Sequence, residues 1–197
     1  MRSSYRLGDL VFLNLEEHNK SKILFEYPNS IASRFIKENN NNINNIDIIT
    51  KIILNYIEEV SHLLPKDIEE STVIHLRLGD VIAGNRLHER RKRPLQVNYL
   101  KSLIENDTNP KYVIGKCFFA STSSNNFEEC IELSNKYLRN VLEELNATHF
   151  DSGNADIDLC CAIKSKLFIQ GKGYFSKLIV EVRKKLNLNN IETTEVN

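Results

Sequence analysis

From Ser71 onward the chain alternates short apolar, β-branched runs with segments whose apolar residues recur every three to four positions. This alternation constrains the fold more than any other feature. Ser71 to Leu78 reads as a strand, with Thr72, Val73, Ile74 and Leu76 apolar or β-branched and Gly79-Asp80 supplying the turn that ends it. Tyr99 to Ile104 reads as a short helix, Lys111 to Ala120 as a strand and Phe127 to Leu145 as a helix. The pattern repeats with Thr148 to Phe150 as strand, Asp156 to Lys164 as helix, Lys166 to Gln170 as strand and Phe175 to Leu186 as helix. Strands separated by helices imply right-handed βαβ units and a parallel sheet covered on both faces. Ligands of such sheets bind at the carboxyl ends of the strands, here Gly79-Asp80, Ala120 to Ser124, Phe150 to Gly153 and Gln170 to Tyr174.

The fold class read from this pattern is α/β with a Rossmann-like parallel sheet. Residues 71–197 form the Rossmann-like domain and residues 1–70 a short N-terminal lobe. Within that lobe, Ile46 to Leu64 has the spacing of an amphipathic helix ending before Pro65, and Leu7 to Leu15 reads as a short strand entered through Gly8-Asp9. The asparagine-rich stretch Glu38 to Asn45 separates lobe from domain, because asparagine side chains compete with helix and strand for backbone hydrogen bonds.

Lys plus Arg equals Asp plus Glu at 26 each, which removes the overall electrostatic drive of non-specific nucleic-acid binding, so an anion site must be local. Cys117, Cys130, Cys160 and Cys161 lack metal-knuckle spacing and read as reduced core residues. No apolar run reaches the roughly 18 residues needed to span a bilayer, and the N-terminus lacks the form of a signal peptide, so the expected compartment is cytoplasmic.

The chemistry concentrates in His75-x-Arg77-x-Gly79-Asp80. Strand alternation sends His75, Arg77 and Gly79 to one side. A guanidinium at that point can fork onto a diphosphate, glycine lets backbone approach the ligand, and Asp80 can fix the arginine or the turn. The same residues also fit a strand-end Arg77–Asp80 ion pair with His75 as a core histidine. Gly171-Lys172-Gly173-Tyr174-Phe175-Ser176 precedes a helix, so its amides offer an anion site with Ser176 as a donor to phosphate; a plain strand-to-helix turn capped by Ser176 fits equally. Asp156-x-Asp158 has the form of a metal-holding pair, yet its place at a helix start suits capping instead. Arg86 to Arg93 is the strongest charge cluster, read as a solvated loop, as a lid or acceptor-side patch near the diphosphate, or as a nuclear-localisation or RNA contact.

Val73 to Val81 resembles the His-x-Arg-x-Gly-Asp signature of the α1,2-, α1,6- and protein O-fucosyltransferase superfamily. Arg93-Pro94-Leu95 with Tyr99 is similar to the spacer that follows the signature, and Asp156 to Ser176 to the family's last motif. The resemblance covers roughly Ser71 to Leu186 and implies the donor-binding half of a GT-B fold, with Arg77 on the donor's β-phosphate and Asp156 or Asp158 facing the base. Leu78 stands where many members carry a second arginine, so part of the phosphate clamp is missing or supplied elsewhere.

The implied activity is an inverting, metal-independent glycosyltransferase without a cofactor, its donor GDP-fucose or another GDP- or UDP-sugar and its acceptor a glycan or other hydroxyl. Arg77 and Asp80 are the expected catalytic residues. His75, Arg77, Gly79, Asp156, Asp158, Gly171, Gly173, Tyr174, Phe175 and Ser176 are the expected donor-binding set. The alternatives are a non-catalytic nucleotide-sugar-binding module and an RNA-associated α/β protein using Arg86 to Arg93.

Overall fold

The computed structural model describes residues 7–12, 28–39, 45–79, 81–82, 94–115, 117–118 and 127–193. Five parallel strands form the main sheet: β1 (Thr72–His75), β3 (Lys111–Ile114), β5 (Thr148–His149), β6 (Leu167–Ile169) and β7 (Asn189–Ile191). Their spatial order is β5-β3-β1-β6-β7. Counted along the chain, this is third, second, first, fourth, fifth, the order of a Rossmann sheet. The chain works outward from β1 in one direction, returns across it, and works outward in the other. The switch point where the direction reverses lies between β1 and β6.

Each face of the sheet has its own apolar layer. On one, Ile74, Leu76, Val113 and Ile169 pack beneath α4 (Val97–Leu103) and α5 (Phe127–Leu145), represented by Leu100, Val141 and Leu145. On the other, Val73, Ile114 and Phe168 pack against α6 (Ala155–Lys164) and α7 (Tyr174–Lys185). Alternation along β1 sends Val73 to one layer and Ile74 to the other, which is why a strand buried on both faces reads as a continuous apolar run.

The described N-terminal helices pack into the core of the sheet domain. Helices α1 (Leu7–Phe12), α2 (Ile31–Glu38) and α3 (Asn45–Val60) contribute Leu7, Leu10, Ile31, Phe35, Ile49 and Ile53 to the same core as Val73 and Phe168. The described residues before Ser71 thus form a layer of the sheet domain, correcting the boundary drawn from the asparagine-rich stretch, of which residues 40–44 lie outside the described residues. Leu7 to Phe12 is helix, not strand, and α2 carries no expectation from the sequence. Gly8 explains the first error: a turn residue by type, it sits in a helix where a Cβ would lie 2.7 Å from the Tyr174 carbonyl carbon and oxygen.

Two strands come out shorter than expected. β1 stops at His75 and β3 at Ile114, and the chain resumes pairing as the two-stranded parallel ladder of β2 (Leu78–Gly79) and β4 (Cys117–Phe118). The break is built by Gly115, whose φ of 134° and contact with Leu76 exclude a side chain: a Cβ would stand 2.1 Å from the Leu76 carbonyl oxygen. Cys130, Cys160 and Cys161 are buried free thiols, and burial pushes the thiols of Cys160 and Cys161 up. Among the described residues no helix is long and apolar enough to cross a membrane.

Candidate functional site

The switch point brings together the two segments that carry the sequence signals. β1 delivers His75 and, just beyond it, Arg77; β6 delivers Gly171-Lys172-Gly173 and the start of α7. The two backbones run so close that a Cβ on Gly171 would lie 2.2 Å from the His75 carbonyl oxygen and 2.5 Å from its Nδ1. Gly173, at φ 95°, lies under the second side chain, where a Cβ would be 3.2 Å from Arg77 Nη1 and 3.7 Å from its Cδ. His75 and Arg77 therefore lie side by side over the two glycines of one turn, although β1 ends at His75.

His75 is 7% exposed, and its ring packs on Phe175 with centroids 5.2 Å apart. Burial, aided by the Arg77 charge, pulls its pKa down from 6.5 to about 3, so the imidazole is neutral at pH 7. Among the described residues its Nδ1 has no hydrogen-bond partner. A buried nitrogen left in that state costs on the order of 1–3 kcal/mol unless a ligand or water meets it.

The two helices that begin at carboxyl ends of the sheet differ sharply. Asn154 caps α6 by accepting the Asp156 N–H at 2.9 Å, and two acids, Asp156 and Asp158, occupy its first turn. Helix α7 starts at Gly173 with no capping side chain and no acid in its first turn. Lys172 and Lys177 flank it. Cations there oppose the helix dipole, and the first-turn amides of a helix have no intrahelical acceptor, so the charge at this helix start is opposite in sign to that at α6. Lys177 places its ammonium 4.6 Å from the Phe12 ring centroid. The Tyr174 ring, 43% exposed, lies 5.9 Å from the same ring.

Several expected site residues hold positions of another kind. Ser176 is fully buried and its hydroxyl accepts the Gly171 N–H at 2.8 Å, which closes the turn from inside instead of presenting a donor outward. Asp156, 2% exposed, accepts the Ile31 N–H at 2.9 Å and so holds the first turn of α2. Asp158 accepts the Ser152 hydroxyl at 2.6 Å. Gly79, at φ 89°, donates its amide to the Ser134 hydroxyl of α5 at 3.0 Å. Leu78 is buried in the layer beneath α4 and α5. Asp80, Arg86 to Arg93 and Ala120 to Ser124 lie outside the described residues.

Sequence reading missed the close seat of Gly8 on Tyr174. Its only signal was a glycine inside an apolar-periodic run, which in a helix usually has a packing reason. A shallow groove on α5, lined by Ile82, Leu133, Lys136, Tyr137 and Glu143, lies on the layer opposite His75.

No family profile matches the chain, and no curated protein does. Among solved structures, POFUT1 in complex with GDP aligns at 11% identity and a TM-score of 0.45, over 77% of this chain and 50% of that one. The apo form of POFUT1 aligns at 14% identity and a TM-score of 0.42, over 73% and 48%. POFUT1 in complex with GDP-fucose aligns at 13% identity and a TM-score of 0.40, again over 73% and 48%. The chain spans about half the length of each POFUT1 structure.

Proposed function

We propose that this chain binds a nucleoside diphosphate sugar at the β1/β6 switch point and forms the donor-binding part of a fucosyltransferase-like glycosyltransferase. The observation that carries the reading is the placement of His75 and Arg77 over Gly171 and Gly173, beside an uncapped helix start, at the crevice where Rossmann sheets bind nucleotides. The His-x-Arg-x-Gly-Asp resemblance supplies the sugar: GDP-fucose first, another GDP- or UDP-sugar next, with a glycan or other hydroxyl as acceptor.

In this reading Arg77 forks onto the phosphate nearest the sugar and takes up charge as the nucleoside diphosphate leaves. The α7 amides add a fixed positive field, and the neutral His75 offers a hydrogen bond without competing charge. A histidine whose pKa lies near 3 is a poor base at neutral pH, so deprotonation of an acceptor hydroxyl falls to a carboxylate. Asp80 fills that role in the proposal, and transfer is inverting and metal-independent.

A second reading, a module that binds donor without completing transfer, draws support from α6. Its two carboxylates, Asp156 and Asp158, are engaged by Ile31 and Ser152 inside the fold.

A thermal-shift panel of GDP, UDP, CDP and ADP, each with its sugar conjugates and each with and without EDTA, tests the proposal, since a ligand that binds only the folded state raises its apparent stability. GDP and GDP-fucose are expected to give the largest shifts, unchanged by EDTA. Equal shifts for every nucleotide remove the base selectivity; a shift that requires magnesium or manganese removes the metal-independent mechanism; no shift removes the site. Binding without hydrolysis or transfer of GDP-fucose establishes the module.

A further inference from the structure

A diphosphate carries more charge than one guanidinium offsets, and position 78, directly after Arg77, is a leucine buried in the opposite layer. Any second cation must come from another segment. Lys172 sits between Gly171 and Gly173, the two residues that lie against His75 and Arg77. It is half-buried, yet no ion pair or hydrogen bond joins it to any described residue. Lys177, the other lysine at this helix end, is placed over the Phe12 ring. A lysine at the positive end of a helix, without a counter-charge among the described residues, is less favourable in the absence of an anion. The unpartnered Nδ1 of His75, 93% buried at the base of the same turn, is an independent sign that a polar ligand completes this place.

Resting on the donor-binding reading above, we infer that Lys172 is the second cation of a two-phosphate clamp: Arg77 holds one phosphate and Lys172 the other. The site thereby selects diphosphates over monophosphates. As a point charge on a flexible stem, lysine suits the phosphate on the nucleoside side, where charge changes little during transfer, whereas the planar fork of Arg77 suits the phosphate that accumulates charge.

Isothermal titration of the full chain with GDP, GMP, pyrophosphate and phosphate tests this, in wild type and in Lys172→Met, Lys172→Arg, Lys177→Met and Arg77→Ala. Lys172→Met is expected to weaken GDP, GMP and pyrophosphate alike by about tenfold or more, the scale of one charge-assisted contact, because GMP carries the nucleoside-side phosphate that Lys172 holds, whereas Arg77→Ala weakens GDP and pyrophosphate while moving GMP by less than about twofold. Lys172→Arg restores most of the affinity for GDP and GMP, and Lys177→Met leaves both in place. If Lys172→Met leaves GDP and GMP affinity within about twofold of wild type while Arg77→Ala still abolishes GDP binding, the clamp is wrong and the donor site stands. If wild type binds neither GDP nor pyrophosphate, the donor reading itself falls, and the clamp with it. Circular dichroism of each variant shows that the lost affinity is read on folded protein.

Discussion

The two ends of the sheet each hold an arginine, and the protein treats them in opposite ways. At the amino ends of β6 and β7, Arg183 of α7 is fully buried, and its guanidinium is enclosed by oxygens. Nε donates to Asn190 Oδ1 at 2.8 Å, Nη1 to the carbonyls of Ala162, Ile163 and Ser165 at 2.7, 2.9 and 2.8 Å, and Nη2 to the carbonyl of Asn189 at 2.7 Å. These carbonyls are the ones that a helix end and a strand start leave unpaired, so a single side chain caps α6 and ties β7 to the sheet. Burial lowers the Arg183 pKa to about 10, which keeps it charged at neutral pH. At the carboxyl ends, Arg77 is half-exposed beside a histidine with an unpartnered nitrogen and a helix without a cap. A group whose donors are all met inside the fold stabilises it, whereas the groups at the carboxyl ends lie where the proposed ligand would bind.

The largest expected effect breaks the amino end. Arg183→Ala leaves several buried carbonyls without donors and is expected to cost about 3–5 kcal/mol or prevent folding, measured by urea denaturation. Arg183→Lys recovers little, because an ammonium cannot reach oxygens on α6, β6 and β7 together. A loss below about 1 kcal/mol would show that water replaces the guanidinium.

At the other end the effect is expected on ligand and not on fold. Arg77→Ala should weaken GDP by roughly 100-fold, the loss of a bidentate charge-assisted contact, while urea stability changes by less than about 1 kcal/mol. Arg77→Lys rescues poorly. Unfolding of Arg77→Ala with no separable effect on GDP would make Arg77 an ion-pair residue like any other and remove the contrast with Arg183.

The smallest effect sharpens the comparison through pH. The folded state holds the His75 pKa near 3 against 6.5 for the free side chain, so below pH 6.5 the unfolded chain binds a proton that the folded chain refuses. Stability is then complete above pH 6.5 and falls towards pH 3, by up to about 1.4 kcal/mol per pH unit from this group. Between about pH 5 and 6.5, above the main carboxylate range, His75→Gln should flatten the urea-stability profile relative to wild type. Superimposable profiles would mean that the imidazole titrates normally and is not held neutral by burial.

The sequence by itself determined the helices and most of the strands between Ser71 and Leu186. The longer ones show their own periodicity, and each lies in a layer where one or two faces must be apolar. Phe127–Leu145 falls where its spacing puts it, and the strands at Thr72, Lys111 and Leu167 follow from β-branched runs between turn residues. Candidate residues were legible as types at strand ends: His75, Arg77, Gly171 and Gly173. Strand order was not, because local periodicity carries no information on which strand neighbours which. Only the packed sheet puts β6 beside β1 and so brings the glycines under His75 and Arg77. Long-range contacts also decided the roles that sequence assigned otherwise. Asp156 caps a helix 125 residues away, Ser176 faces into its own turn, and Gly8 sits in a helix because the Tyr174 backbone occupies the space of its missing side chain. Asn189–Ile191 has poor strand composition and becomes β7 through its pairing with β6 and the hydrogen bonds Arg183 makes to Asn189 and Asn190. In each case the deciding energy is a contact between residues far apart in the chain, which no window of neighbouring residues contains.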